Sequence, residues 1–273
     1  GRRNLQRLSD IKTMLTARGL SPRHKLGQNF LHDHNILGKL VDAAEVSSGD
    51  LVLEIGPGTG TLTETLVARG CEVIACELDS GLAGLIEERL GNKVTLIRGD
   101  CMSKRTLNPD VLSAINHRPF KLVANLPYQV ASPLMVELFT SCKNCEGQFV
   151  TIQYEVAQRL LADVDSDDWG VLSILVQRLA DVALITKAPP TCFWPQPKVV
   201  SACVALLPKA ERSDVDDERF STFVTSLFAK RRKQLGTILG RGTELPEDVS
   251  PDARPSTLSI EQLERLFKHV STD

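Results

Sequence analysis

Residues 51–60 read Leu-Val-Leu-Glu-Ile-Gly-Pro-Gly-Thr-Gly, an apolar run that leads directly into a glycine-rich turn. Helical spacing resumes over residues 62–68 and ends near Gly70. A strand, a glycine turn and a helix in this order let a nucleotide-like ligand approach the backbone closely. Thr61 stands where the dinucleotide-binding fingerprint has its third glycine, which argues against NAD. Glu54 ends the strand with an acid, and an acid suits a cationic ligand better than a pyrophosphate.

Strand and helix patterns alternate along most of the chain. Apolar runs predict further strands over residues 71–76, 94–97, 120–124, 147–153, 182–185 and 199–207. Helical spacing predicts further helices over residues 36–44, 82–90, 132–139, 156–161 and 171–179. The alternation predicts an α/β fold with a parallel sheet between two layers of helices, and ligands in such folds gather at the carboxyl ends of the strands.

Changes in composition predict three parts. Residues 1–24 form a basic N-terminal arm, and residues 25–207 carry the alternating pattern. The segment 209–218 is almost entirely polar, and helical patterns follow it near residues 220–228, 233–239 and 260–270. We therefore predict a small all-helical domain over residues 208–273.

The overall composition is that of a globular protein, with 273 residues, 42% hydrophobic content, 24% charged content and a net charge of −2. Its apolar runs are shorter than the ~20 residues of a membrane helix, and no signal segment opens the chain. We expect a cytoplasmic protein without membrane contact. Because Gly1 is not a methionine, removal of a targeting segment remains an alternative.

The seven cysteines form an odd set spread through predicted strands and helices, so we expect reduced thiols. Cys142 and Cys145 make a Cys-x-x-Cys pair. A second Cys or His pair at ligand spacing is lacking nearby, so we expect neither a metal site nor redox chemistry there.

Basic residues are concentrated at both ends of the chain. The N-terminal set is Arg2, Arg3, Arg7, Lys12, Arg18, Arg23 and Lys25, with Asp10 as its single acid, and the C-terminal set is Lys230, Arg231, Arg232 and Lys233. Each set is interpreted equally well as a solvated surface or as a contact for nucleic-acid phosphates.

Polar residues follow four of the predicted strands. Glu54 and Gly56 end the first of these strands, Glu77 the second, Asp100 the third and Asn125 the fourth. A carboxylate in the place of Glu77 can bridge two ribose hydroxyls, and Asp100 can accept a hydrogen bond from an adenine amino group. Polar groups along one edge of one sheet indicate a site for a nucleotide-like ligand.

Asn125-Leu126-Pro127-Tyr128 suits a site that grips the exocyclic amine of a planar base. This amine is a poor nucleophile because its lone pair is delocalised, so both N–H groups must be held where the nitrogen can pyramidalise. The Asn125 side-chain oxygen and the Leu126 carbonyl can accept these hydrogens, Pro127 stiffens the turn, and Tyr128 can stack on the base. An ordinary strand-to-helix turn is the alternative interpretation.

Taken in order, these motifs resemble those of the S-adenosylmethionine-dependent ribosomal RNA adenine dimethyltransferases of the KsgA type. The resemblance runs from Lys25 to Phe267 and is carried by residues 26–31 (Leu-Gly-Gln-Asn-Phe-Leu), 54–60, 77–79 (Glu-Leu-Asp), 99–100 (Gly-Asp), 125–128, 193–199 (Phe-Trp-Pro-Gln-Pro-Lys-Val) and 230–233. It implies a Rossmann-like methyltransferase domain followed by a small helical RNA-binding domain.

The resemblance also implies a role for each matching residue. The predicted cofactor-binding residues are Asn29, Leu31, Gly56, Gly58, Glu77, Asp100 and Asn125, the predicted catalytic residues are Asn125, Leu126, Pro127, Tyr128 and Phe193, and the predicted RNA-binding residues are Lys230, Arg231, Arg232 and Lys233. In this family Tyr128 and Phe193 would sandwich the extruded target adenine, and Gln28 would help to order the N-terminal segment.

The activity implied by the resemblance is dimethylation of the N6 amines of two adjacent adenines in a hairpin loop near the 3′ end of small-subunit ribosomal RNA. The implied partner is an assembling small subunit, and we expect the protein to act as a monomer. Two alternatives stay open. One is a large-subunit rRNA methyltransferase that confers antibiotic resistance, and the other is a methyltransferase-like binding, assembly or transcription factor.

Overall fold

The computed structural model describes residues 6–23 and 26–271. Arg2, Arg3 and Lys25 of the basic N-terminal set lie outside the described residues. The chain forms two compact units, one made of residues 1–157 and 182–208 and the other of residues 158–181 and 209–273. We call them the sheet unit and the helical unit.

The strands are β1 (Phe30–Leu31), β2 (Leu51–Ile55), β3 (Glu72–Glu77), β4 (Val94–Arg98), β5 (Met102–Ser103), β6 (Thr106–Leu107), β7 (Phe120–Asn125), β8 (Cys145–Gln153), β9 (Ala180–Ala188), β10 (Phe193–Trp194) and β11 (Ser201–Pro208). The helices are α1 (Leu8–Ala17), α2 (His34–Ala44), α3 (Thr61–Ala68), α4 (Ser80–Leu90), α5 (Pro109–Ile115), α6 (Ala131–Ser141), α7 (Tyr154–Leu160), α8 (Val171–Gln177), α9 (Asp217–Phe228), α10 (Leu235–Leu239) and α11 (Ile260–Val270). The α/β alternation predicted from the sequence is confirmed.

Seven strands form one sheet in the order β4-β3-β2-β7-β8-β11-β9. Parallel pairing joins β4, β3, β2, β7 and β8. The predicted parallel sheet does not extend to β11, which pairs antiparallel with β8 so that Ser201 lies opposite Gln153. The sheet is therefore mixed. Parallel strands must be joined by crossover connections, which are usually helical, whereas a strand that runs antiparallel to its neighbour needs none.

Burial on both faces explains the apolar strand sequences. All five residues of β2 are buried, as expected for a central strand covered by helices on both sides. On one face, Leu40 and Val41 of α2 are fully buried in the core cluster that also holds Val52 and Val73. The N-terminus of α2 is capped by Asp33, whose side chain accepts a hydrogen bond from the Ile36 amide at 2.9 Å.

The predicted N-terminal arm contains a packed helix. Ile11 and Leu15 of α1 are spaced by one helical turn, and they are buried against Phe30, Leu82 and Leu85 of the sheet unit. Hydrophobic contact therefore fixes this segment to the sheet unit, although its charge pattern alone predicts only a basic arm.

Arg178 organises the helical unit. Its side chain is only 4% exposed and forms ion pairs with Asp217 at 2.6 Å and Glu264 at 3.2 Å. It also donates a hydrogen bond to the Val215 carbonyl at 3.0 Å. Residues 158–181 thus belong to the same unit as the C-terminal helices. This unit is discontinuous in the sequence, and the predicted single boundary at residue 208 does not describe it.

Within the described residues, no helix combines the length and the apolar character needed to cross a membrane.

Candidate active site

A cavity of about 320 Å³ lies in the sheet unit at the carboxyl ends of β2, β3, β4 and β7. Its lining includes most of the predicted site residues, namely Asn29, Leu31, Gly56, Gly58, Glu77, Asp100, Asn125, Leu126, Pro127 and Tyr128. Parallel strands bring their carboxyl ends to one edge, so motifs far apart in the sequence meet here.

The glycine turn after β2 forms one wall of the cavity and leaves no room for side chains. Gly56 has φ +71°, and a Cβ atom there would lie 3.1 Å from Pro127 Cγ. Gly58 has φ +61°, and a Cβ atom there would lie 3.0 Å from the Phe30 ring. Both positions need glycine because the backbone is left-handed and its neighbours are close.

Glu77 is held in a fixed orientation at the end of β3. Its Oε1 accepts a hydrogen bond from the Gly58 amide at 3.2 Å, and its Oε2 accepts one from the Asp79 amide at 3.0 Å. Burial raises the pKa of Glu77 from 4.5 to about 7, while these two amides oppose the increase. The carboxylate is thus oriented before any ligand binds.

Glu54 is a second acid at the base of the cavity and is only 2% exposed. Burial raises its pKa to about 8, the hydrogen bond from Thr63 lowers it, and the nearby Glu77 charge raises it further. Near neutral pH the Glu54 carboxyl is therefore largely protonated in the free protein. A positively charged ligand in the cavity would favour ionisation of both acids.

Asp100 lies on an exposed loop after β4, where backbone contacts fix its position. Its Oδ1 accepts a hydrogen bond from the Met102 amide at 3.0 Å, and its carbonyl accepts one from Asn108 Nδ2 at 2.8 Å. The carboxylate lines the cavity, and it can accept a hydrogen bond from a ligand there.

Asn125 connects the end of β7 to the segment before β1. Its Nδ2 donates a hydrogen bond to the Asn29 carbonyl at 3.0 Å, and Asn29 Nδ2 donates one to the Pro195 carbonyl at 2.6 Å. The first bond fixes the orientation of the Asn125 amide and leaves Oδ1 as its acceptor atom. The next residue is also fixed, because the Leu126 amide donates a hydrogen bond to the Thr151 carbonyl at 3.1 Å.

Tyr128 borders the cavity and is half-buried. Its hydroxyl lies 3.5 Å from Ser201 Oγ at the start of β11. Burial raises the pKa of the Tyr128 phenol, and the Ser201 hydrogen bond opposes this shift. The ring is therefore a neutral aromatic surface at physiological pH.

Phe193 does not join the other predicted catalytic residues. It is only 2% exposed and belongs to the hydrophobic core cluster that includes Leu31, its partner in the short β1–β10 pair. It is not among the described residues that line the cavity. The strand pairing directs this side chain into the core, so in this conformation Phe193 supports the site from behind and Tyr128 is the aromatic residue at the cavity.

Gln6 is a site residue that the sequence analysis missed. It is buried, its Nε2 donates a hydrogen bond to the Thr59 carbonyl at 2.9 Å, and its Oε1 accepts bonds from the Thr59 and Thr61 hydroxyls, each at 2.9 Å. Both threonines line the cavity. Gln6 thereby fixes the glycine turn from behind, and no local sequence pattern signals a contact across more than 50 residues.

Leu78 is a second residue that was missed. It lines the cavity directly after Glu77 and is 51% exposed. A large exposed apolar side chain inside a cavity provides a surface for a planar ligand. Its position immediately after the acid of the second strand was the available sequence signal.

Gln28 orders the N-terminal segment, as predicted. Its side-chain oxygen accepts a hydrogen bond from the Arg23 amide at 2.8 Å, and its Nε2 donates one to Asp79 at 3.4 Å. Asp79 also pairs with Arg23 at 3.2 Å, and Arg18 pairs with Glu88. Arg18 and Arg23 thus form ion pairs within the protein, which weakens the hypothesis that they bind phosphates.

The C-terminal basic set lies in the helical unit directly after α9. Lys230, Arg232 and Lys233 are exposed, and Arg231 donates a long hydrogen bond of 3.5 Å to the Asp167 carbonyl. These side chains form a cationic surface of the helical unit that is accessible to phosphates.

All seven cysteines are buried. Burial raises the pKa of Cys142 to about 11, so this thiol stays protonated and is a poor nucleophile at physiological pH.

Comparison with known families identifies a match over most of the chain. The sequence model of the family described as "Ribosomal RNA adenine dimethylase" matches residues 19–271. A ribosomal RNA small subunit methyltransferase A of Clostridium perfringens is 37% identical over 279 residues, covering 96% of each chain. The protein of the same name from Pediococcus pentosaceus is 34% identical, covering 96% of this chain and 94% of the relative.

Solved structures with the same fold include a dimethyladenosine transferase and a 23S rRNA methyltransferase. A dimethyladenosine transferase from Plasmodium falciparum superposes with a TM-score of 0.74 at 25% identity, covering 89% of this chain and 98% of that one. The 23S rRNA methyltransferase ErmE superposes with a TM-score of 0.66 at 26% identity, covering 89% of this chain and 100% of that one.

Proposed function

Because the chain belongs to the ribosomal RNA adenine dimethylase family, and is thus an S-adenosylmethionine-dependent rRNA adenine dimethyltransferase, we propose that it modifies two adjacent adenines in a hairpin loop near the 3′ end of small-subunit rRNA. The observation that carries this proposal is the set of Glu77, Asp100 and Asn125 at the carboxyl ends of β3, β4 and β7 around one cavity. The small-subunit target is supported by the names and near full-length coverage of the relatives.

The residues around the cavity suit the cofactor. The preoriented Glu77 carboxylate can accept both ribose hydroxyls, and Asp100 can accept a hydrogen bond from the adenine amine. Asn29 and Leu31 would close over the methionine end, with Gly56 and Gly58 against it because these positions have no side chain. The sulfonium, when bound, supplies an activated methyl group.

Asn125 and Leu126 are proposed to hold the target amine. Asn125 Oδ1 and the Leu126 carbonyl accept its two hydrogens, which frees the nitrogen lone pair from the ring and points it towards the methyl group. Pro127 keeps the turn rigid against Gly56. Tyr128 stacks on the extruded base, and its neutral ring avoids placing a charge beside the amine.

Proton transfer needs no strong base in this arrangement. Methylation would make the amine cationic and acidic, so its proton would pass to water, while Asn125 and the Leu126 carbonyl would hold the N–H groups by hydrogen bonds. The second methylation begins with an amine that has one hydrogen, and one of the two acceptors then has no partner. A mobile water can satisfy that acceptor at a low energetic cost.

Phosphate contacts are proposed for Lys230, Arg231, Arg232 and Lys233, because three of the four side chains are exposed and none is matched by an acid in an ion pair among the described residues. We place the physiological substrate in an assembling small subunit and expect a monomeric, cytoplasmic enzyme. The helical unit would thus supply RNA affinity and the sheet unit the chemistry.

A methyl-transfer assay tests this function. Purified protein and labelled S-adenosylmethionine are incubated separately with small and large ribosomal subunits that lack adenine dimethylation. We expect label in small subunits, at two adjacent adenines by mass spectrometry, and none with Asn125→Ala. Label confined to large subunits would support the activity named for ErmE. Tight binding of cofactor and subunits without any transfer would support a binding or assembly role.

A further inference from the structure

The edge of the sheet that holds the cavity continues beyond Asn125. Since β8 is parallel to β7, its last residue, Gln153, lies at the same edge. Since β11 is antiparallel to β8 and Ser201 pairs with Gln153, β11 begins at that edge. The residues just after Gln153 and just before Ser201 are therefore a direct extension of the active-site edge within the sheet unit.

An aromatic, cationic and apolar surface occupies this extension. We define the rim as Tyr154, Lys187, Lys198, Val199 and Val200. The Lys187 ammonium lies 4.4 Å from the centre of the Tyr154 ring. Val199 is 47% exposed and Val200 is 38% exposed, and Lys198 beside them is also exposed. Residues 182–208 include both rim lysines and contain no acid.

One hydrogen bond holds two parts of the rim together, and a second connects the next residue of the chain, Ser201, to the target pocket. The Tyr154 amide donates one to the Val200 carbonyl at 2.9 Å. The residue after Val200 is Ser201, whose Oγ lies 3.5 Å from the Tyr128 hydroxyl. The surface thus begins one residue from the side chain that contacts Tyr128.

We propose that the rim binds the unpaired nucleotide next to the target adenine, with Tyr154 stacking on its base and Lys187 and Lys198 contacting its flanking phosphates. This inference rests on the proposed function. Single-stranded RNA is the favoured occupant because an aromatic ring beside lysines matches stacked bases joined by phosphates. Val199 and Val200 extend the contact to the edge of the base or sugar.

This assignment has a mechanistic consequence for adjacent targets. While one adenine occupies the cavity, its neighbour is held outside on the rim rather than left in solution. Stacking is tolerant of base identity, so the rim can hold either a modified or an unmodified neighbour. The same surface therefore serves both adenines in turn.

Binding measurements test the rim separately from catalysis. The probe is a fluorescent RNA hairpin with two adjacent loop adenines, titrated by anisotropy with the full chain. Because stacking on one base contributes ~1–3 kcal/mol, Tyr154→Ala should weaken binding by roughly 5- to 150-fold. Tyr154→Phe should bind like the wild type, and every variant should keep its affinity for S-adenosylmethionine. Loss of cofactor affinity in Tyr154→Ala would indicate general unfolding; Lys187→Ala and an abasic RNA titrated with the wild type then carry the test, and unchanged affinity in both would overturn the assignment.

Matched variants and a modified RNA sharpen the test. Leu112→Ala removes an exposed apolar side chain on α5. Lys143→Ala removes an exposed cation just before β8 begins, at the end of this strand that is opposite to the rim. Both control variants should leave RNA affinity unchanged. Lys187→Ala should weaken binding and reduce its salt dependence by about one phosphate contact. An abasic site beside the target adenine should weaken wild-type binding as much as Tyr154→Ala does, with no further loss when the two are combined.

Two results would overturn the proposal. One is unchanged RNA affinity in both Tyr154→Ala and Lys187→Ala, and the other is fully additive losses from Tyr154→Ala and the abasic site. Failure of the proposed function would give a different result. The wild type would then bind the cofactor and the hairpin, and the rim variants would still bind the hairpin more weakly, but the wild type would not methylate small subunits.

Discussion

Asn125 Nδ2 donates a hydrogen bond to the Asn29 carbonyl at 3.0 Å, which ties the motif after β7 to a segment 96 residues earlier in the chain. The bond places the two parts of the site proposed to hold cofactor and target in direct contact. It also fixes the orientation of the Asn125 amide and therefore the direction of Oδ1, the acceptor atom of that side chain. The orientation of the proposed target-binding group therefore depends on the segment proposed to cover the cofactor.

Replacing Asn125 by Asp should show this dependence. Aspartate has nearly the same shape but cannot donate to the Asn29 carbonyl, so two acceptors would face each other. We expect kcat to fall by roughly 100-fold or more, as is common when a positioned polar group of an active site is lost. Single-turnover methyl transfer measures the effect. Asn116→Asp, on the loop before β7, is the matched control, and equal rates for Asn125→Asp and the wild type would contradict the proposed role.

The buried acids predict a pH dependence of stability. The pKa values of Glu54 and Glu77 are raised from 4.5 to about 8 and about 7. Below pH 4.5 both folded and unfolded forms are protonated, whereas at higher pH the unfolded form releases protons first. Stability of the free protein should therefore fall as pH rises from about 4.5 to about 8. Thermal unfolding across this range measures the effect.

Glu54→Gln is the specific test of that pH dependence. Glutamine resembles the protonated carboxyl, so the variant should lose less stability than the wild type between pH 4.5 and about 8, where the unfolded wild type has released the Glu54 proton and the folded protein still holds it. Glu155→Gln, an exposed acid in the sheet unit, should leave the wild-type profile unchanged. A Glu54→Gln profile that overlays the wild type would refute the contribution of Glu54.

Removal of the Gln6 side-chain amide should weaken cofactor binding. Gln6→Leu fills a similar volume but leaves the Thr59 carbonyl and the hydroxyls of Thr59 and Thr61 without this partner. We expect the KM for S-adenosylmethionine to rise by about 10-fold, since loss of roughly 1–2 kcal/mol is typical for buried polar groups. The kcat at saturating cofactor should change little. Thr13→Ala on the exposed face of α1 is the control, and a loss of kcat alone would argue against this role.

Phe193 offers a test between packing and stacking. Because the ring is buried in the core, Phe193→Ala should cost about 3–5 kcal/mol of unfolding free energy. Phe193→Leu retains an apolar side chain and should keep most of the methyl-transfer rate. Denaturant unfolding and steady-state kinetics measure the two effects. A folded Phe193→Leu protein that binds cofactor but cannot methylate would restore the predicted stacking role.

Lys233 should act through RNA affinity and not through chemistry. Lys233→Ala should weaken subunit binding and lower the slope of log affinity against log salt by about one contact, with the single-turnover rate at saturating subunits unchanged. Lys209→Ala removes another exposed lysine of the helical unit and serves as the control. A lower single-turnover rate with unchanged subunit affinity in Lys233→Ala would contradict the assignment of RNA affinity to the helical unit and of chemistry to the sheet unit.

The sequence predicted the cavity well because glycines and strand-ending polar residues have local signatures. Gly56, Glu77 and Asp100 each follow an apolar run, and parallel pairing then brings them together. Strand direction has no such signature, so the antiparallel β11 was missed. Helix α5 was also missed, although Asn108 caps it and Pro109 begins it.

The structure differs from the predicted placement of individual residues where long-range contacts determine the environment. Phe193 was predicted at the cavity because of its motif, but its pairing with Leu31 turns it into the core. Gln6 lies in a segment whose charges suggested a solvated arm, yet its partners lie more than 50 residues away. Neither contact follows from periodicity or from turn residues.

The discontinuity of the helical unit constrains how this protein can be made and engineered. Arg178 is synthesised before both of its acidic partners, Asp217 and Glu264. A nascent chain that ends near Pro208 therefore contains a guanidinium without these carboxylates. A truncation at this point would have the same defect permanently, so exchange of the helical unit between relatives requires a chimaera that transplants residues 158–181 together with residues 209–273.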